Sequence, residues 1–137
     1  MKRVRWIDHE LTNRLLNRVL PAMPLEARLI ASSVQIYVTR CRAGRACWRN
    51  GVIRIPAWVF DPTVNFCGKG FVPGGDQFAS YYLAHEMAHV KARTGDHRVE
   101  FMIAFKELCH EKVQWYETIY KPRNAALGGI NNKENIK

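Results

Sequence analysis

Leu11, Leu15, Leu16 and Val19 recur at helical spacing, which predicts a helix from Asp8 to Leu20. Asp8 can cap it, and Pro21 and Pro24 end it. The period then changes. Ser33 to Thr39 alternates polar and apolar residues and is rich in β-branched side chains, the pattern of a strand. Arg45–Arg49, Asn50-Gly51 and Val52–Ile55 predict a β-hairpin, with Asn-Gly as a two-residue type I′ turn. Pro62, Gly68, Gly70, Pro73, Gly74 and Gly75 predict a loop over residues 61–75.

Helical character returns at Gln77–Arg93, with Asp76 or a neighbour as its cap. A second long helix is expected from near Asp96 to about Tyr120. Phe101, Phe105, Leu108, Trp115 and Ile119 form its apolar positions, and Pro122 stops it. The end, from Gly128 to Lys137, reads as a frayed tail. The expectation is an α+β fold: an N-terminal helix, a small antiparallel sheet with a hairpin, then two helices. One domain over residues 1–124 and a tail over 125–137 account for the chain.

Composition narrows the class. The 137 residues suit a single core, and 47% hydrophobic with 24% charged residues excludes a disordered or fibrous chain. No apolar run approaches the ~20 residues needed to span a bilayer. The basic first ten residues lead into no apolar segment, so a secretory signal is not expected and a cytoplasmic location is. Cys41, Cys47, Cys67 and Cys109 form no Cys-x-x-Cys pair, so reduced thiols are expected.

Charge is uneven along the chain. Residues 1–54 carry 11 Lys/Arg against 3 Asp/Glu, and the remainder carries 10 against 9. Lys2, Arg3, Arg5, Arg40, Arg42, Arg45 and Arg49 are therefore candidate nucleic-acid-binding residues, with Arg54, Trp6 and Trp48 nearby in sequence.

The chemistry concentrates in His85-Glu86-Met87-Ala88-His89, a pattern expected by chance in about one sequence in a hundred of this composition. On a helix, residues four apart share a face, so His85 and His89 can bind one zinc ion. Glu86 lies about 100° around the helix, where its carboxylate can act as general base toward water on the metal. A catalytic zinc needs a third protein ligand and an open position. A His at position 95 is excluded, because that residue is Gly95. Glu107, Glu111 and His97 remain. Backbone chemistry favours His97: Gly95 can take the left-handed conformation that ends a helix, and Asp96 can cap the next one, with His97 in its first turn.

These residues resemble the SprT-like zinc metallopeptidases, the group that includes the Spartan protease domain. His85-Glu-Met-Ala-His89 followed by His97, Glu100 and Phe101 is similar to that family's metal motif. Ala43-Gly44-Arg45-Ala46 and the strand after it are similar to its Ala-Gly-x-Ala segment. The resemblance spans about residues 10–120. It implies a zincin-like domain, one catalytic zinc on His85, His89 and His97, Glu86 as general base, and a protein or peptide substrate. It further implies an association with DNA-bound proteins, and with it a nucleoid or nuclear setting. The chain departs from the family where Asp96 and Arg98 flank His97 in place of glycines, and in having no cysteine-rich zinc ribbon. Tyr81, Tyr82, His110 and Tyr116 are each available to stabilise an oxyanion. The competing expectation is a nucleic-acid- or partner-binding protein whose zinc site is structural or inactive.

Overall fold

A computed structural model describes residues 6–65 and 71–108, with the side chains of Asn65, Phe71 and Val72 outside that description. The expected tail, Lys2, Arg3, Arg5, Cys67, Cys109, His110, Glu111, Tyr116 and the helix beyond Leu108 lie outside the described residues.

Helix α1 spans His9–Arg14, and Asp8 caps it by accepting from the Leu11 amide at 3.0 Å. It runs on as a π-helical turn over Leu15–Val19 and a 3₁₀ turn over Leu20–Ala22. Buried Thr12 ties this stretch to the sheet: its hydroxyl donates to the Asp8 carbonyl at 2.7 Å and accepts from the Val38 amide at 2.9 Å. Helix α2, Leu25–Ala31, follows.

Three strands form the main sheet: β1 (Gln35–Thr39), β2 (Arg45–Cys47) and β3 (Val52–Pro56). Their order is β1-β3-β2. The expected antiparallel sheet is thus mixed, because β1 and β3 run parallel and only β2 and β3 are antiparallel. The reason lies in burial. Strand β3 carries Ile53 and Ile55, both fully buried, and takes the centre; the shorter β2, which exposes Arg45, goes to the edge. The β1 pairs Ile36↔Ile53 and Val38↔Ile55 then present one apolar face.

The hairpin also differs from expectation. Cys47 pairs with Val52, leaving a four-residue turn over residues 48–51 in which the Asn50 and Gly51 amides both donate to the Cys47 carbonyl. Gly51 alone has positive φ there (66°), whereas a type I′ turn needs it at two positions. Cys41 and Cys47 are free thiols.

The described residues of the glycine- and proline-rich stretch include two short strands where the composition predicts a loop. Strands β4 (Thr63–Asn65) and β5 (Phe71–Pro73) pair antiparallel, preceded by a 3₁₀ turn at Ala57–Phe60. Gly74 then passes so close to the Asp61 carbonyl that a Cβ would sit 1.7 Å from its oxygen.

Helix α3, Asp76–Ala92, is the centre of the core, with Phe78, Leu83, Ala84, Met87 and Ala88 fully buried. Asp76 at its start accepts from Arg14 at 2.7 Å and pairs with Arg18 at 3.0 Å, joining it to the N-terminal helix and suiting the positive end of the helix dipole. Helix α4, Val99–Leu108, packs on α3 through Phe101, Ala104, Phe105 and Leu108. Lys91 of α3 bridges Glu26 of α2 at 2.7 Å and Glu107 of α4 at 3.3 Å. Among the described residues no helix is long and apolar enough to cross a membrane.

Candidate metal centre

His85, Glu86 and His89 occupy the last two turns of α3, one turn apart as their spacing requires. Helix α3 then ends at Arg93, which takes the left-handed conformation (φ 54°, ψ 45°). The expected glycine ending is not used: Gly95 has no positive φ, and Arg93 bears the turn two residues earlier. A short brace follows. The Thr94 hydroxyl accepts from the Asp96 amide at 3.2 Å, and the Asp96 carboxylate accepts from the Arg98 amide at 3.1 Å. Asp96 therefore caps a loop amide instead of the helix, and His97 stands just before α4, not in its first turn.

The reversal returns His97 to α3. Its Nε2 lies 3.3 Å from Nε2 of His85. Two imidazole nitrogens each about 2.0–2.1 Å from one tetrahedral ion would be about 3.3–3.4 Å apart. That edge of the site already has the right length. The donor atoms of His85, His89 and His97 all lie within 4.8 Å of one another, so the three can hold a metal ion. His89 is oriented for this. The Thr94 carbonyl lies 2.9 Å from its Nδ1 and can only accept, so Nδ1 donates to it and Nε2 is the nitrogen left to offer a metal ion.

Phe101 completes the pocket. Its ring centroid is 5.0 Å from that of His85, 4.6 Å from His89 and 4.8 Å from His97. Nearly buried itself, it presents an apolar wall to all three imidazoles and shuts water out behind them. The electrostatics follow. Burial first, then the neighbouring His89 and His97, hold His85 down to about 3, so it is neutral near pH 7. Burial, then His89, also lowers His97. Nothing has to be deprotonated at neutral pH before these two accept a cation.

Glu86 is 7% exposed, and among the described residues no cation or hydrogen-bond donor meets its carboxylate. Burial raises it from 4.5 to about 7, the range suited to a general base. A buried carboxylate without a partner is costly, and a cation nearby would relieve that cost.

Of the other sequence candidates, Glu107 is exposed and engaged by Lys91. Tyr81 is buried and stacks on Phe78, while the Tyr82 hydroxyl accepts from the Gly44 amide at 3.0 Å. Arg40, Arg42, Arg45, Arg49 and Arg54 are all exposed, and Arg45 lies directly across from Arg54 in the β2–β3 register. Trp48 is half-buried, with Arg49 over its ring at 5.0 Å.

No family model matches the chain. No curated protein matches it significantly either. Among solved structures it is similar to the metallopeptidase zymogen of Pyrococcus abyssi abylysin. The TM-score is 0.46 and the identity 19%, covering 75% of this chain and 90% of that one.

Proposed function

We propose that this chain is a zinc-dependent endopeptidase of the SprT-like kind, with His85, His89 and His97 as metal ligands and Glu86 as general base. The observation that carries the reading is the convergence of three imidazole donors within 4.8 Å, beside a buried Glu86 that has no partner among the described residues. A structural zinc site is ordinarily closed by four protein ligands. Here, among the described residues, three donors converge.

Zinc held there would supply Lewis acidity and lower the pKa of a water to about 7. The chain's own residues do the rest. Glu86 accepts a proton from the attacking water and returns it to the leaving amine nitrogen, which its near-neutral basicity allows in both directions. Phe101 covers the imidazoles with an apolar ring, and Thr94 holds His89 by its Nδ1, so that its Nε2 would be the atom to hold the ion. Strand β2, an edge of its sheet, lies against α3 and can pair with an extended peptide through its backbone.

The deciding experiment compares wild type with Glu86→Gln on an unfolded protein such as casein. The variant should keep one zinc per chain and lose at least a hundredfold in hydrolysis. Undiminished cleavage by Glu86→Gln refutes the mechanism. Zinc retention with no cleavage by either form supports the binding-protein alternative.

A polyanion partner is favoured by one specific feature. Arg45 and Arg54 stand side by side on the exposed sheet face, an arrangement that is destabilising for like charges, and neither has an acidic partner among the described residues. Substrates carried on DNA would supply the missing charge. Affinity for a short duplex should then fall steeply with salt, and Arg45→Ala with Arg54→Ala should reduce that salt dependence. Equal salt slopes for wild type and variant would remove this part of the reading.

A further inference from the structure

Residues 42–44, which lead into β2, are held onto α3 by two aromatic side chains. The Trp58 indole N–H donates to the Arg42 carbonyl. The Tyr82 hydroxyl accepts from the Gly44 amide at 3.0 Å. The two rings meet edge-on, with centroids 5.8 Å apart and planes at 88°. Phe78, one turn earlier on α3, meets Tyr82 edge-on at 6.5 Å and Trp58 at 6.0 Å, so the pair rests on a core side chain. The approach of the segment is as close as the backbone permits. A Cβ on Gly44 would fall 2.3 Å from the Tyr82 ring.

Position 82 also has a definite relation to the metal site. Residues 82, 85, 86 and 89 follow the i, i+3, i+4, i+7 series, so Tyr82 shares the face of α3 that carries His85, Glu86 and His89. The residue that grips the entry to the sheet edge stands one turn before the candidate ligands. We infer that Tyr82 is a positioning residue: its hydroxyl sets the approach of edge strand β2 to the metal-binding face of α3. Its consequence for substrate rests on the peptidase reading. A peptide paired along β2 would have its scissile bond placed relative to the triad by that spacing, so Tyr82 acts on substrate binding through the strand and not on the reacting atoms.

Two measurements on zinc-loaded protein test this separately from the peptidase reading. The first is amide hydrogen exchange. Tyr82→Phe keeps the ring and removes the acceptor, so exchange at Gly44–Cys47 should rise about tenfold while His85–Lys91 is unchanged. Gly44→Ala, which pushes the segment off the ring, should produce the same local pattern. Unchanged protection at Gly44–Cys47 in both variants overturns the inference. The second is steady-state cleavage of an internally quenched peptide. Tyr82→Phe should raise KM about tenfold with kcat within twofold of wild type. A fall in kcat at unchanged KM would place the hydroxyl at the reacting atoms and overturn the positioning role. Absence of any Glu86-dependent cleavage would sink the peptidase reading, and the exchange result alone would then decide the role of Tyr82.

Discussion

Glu86→Gln has a consequence for stability as well as for hydrolysis. The folded chain holds Glu86 at about 7 against an ordinary 4.5, with burial as the cause. The side chain is therefore more basic folded than unfolded. Between those two values the folded state binds the extra proton, so stability falls as pH rises through that window. Above about pH 7 the whole cost is present, and a displacement of this size corresponds to about 3 kcal/mol. Glutamine has nearly the same shape and no charge to lose. In metal-free protein, Glu86→Gln should match wild type near pH 4 and exceed it by about 3 kcal/mol near pH 8. For a chain of this length that is roughly 10 °C in Tm. The histidines are common to both proteins and cancel in the difference. The assay is urea unfolding of chelator-treated protein at several pH values, with zinc-loaded samples alongside. Zinc should narrow the gap, since a nearby cation favours the carboxylate. Equal stability of the two metal-free proteins at pH 8 would refute a cost of burying the Glu86 carboxylate.

The triad makes its own demands. His97→Ala should lose the one zinc per chain measured by elemental analysis, while Glu107→Ala and Glu111→Ala retain it; zinc lost from Glu107→Ala instead would reassign the third ligand. Phe101→Ala should destabilise the metal-free chain by about 3–5 kcal/mol, the range for removing a buried aromatic ring. It should also weaken zinc in competition with a chelator, whereas Phe101→Leu should cost less on both counts.

The sequence pattern revealed the helices that hold the site more readily than the sheet that packs against α3. His85 and His89 on one helix face follow from local spacing, and so does a chain reversal before His97. Strand order is a different matter. Alternation marks Ser33–Thr39 as a strand and the hairpin pattern marks Val52–Ile55, but their parallel pairing depends on how burial is shared among three strands, which no short window records. The same limit hid the β4–β5 pairing behind glycines and prolines, and hid the four-residue turn behind a strong Asn-Gly signal. At Arg93 the structure places a non-glycine residue in the left-handed region, with its amide donating to the Val90 carbonyl, while the available Gly95 has no positive φ. Phe101 was legible as a core residue, and its spacing alone does not show that its ring meets three imidazoles at once.

The three imidazoles come from only thirteen consecutive positions, 85 to 97, and the wall behind them from position 101. Helices α1 and α2, the sheet and the β4–β5 pair precede them in the chain, and helix α4 follows. During synthesis, then, the strands and their hydrophobic face emerge before any of the three imidazoles, which arrive together. Closing a loop of this size takes about 10–100 ns, far less than the time to add one residue. Metal capture therefore need not wait on a distant part of the chain. What it needs is local: helix α3 and the reversal after it must form before His97 can reach His85.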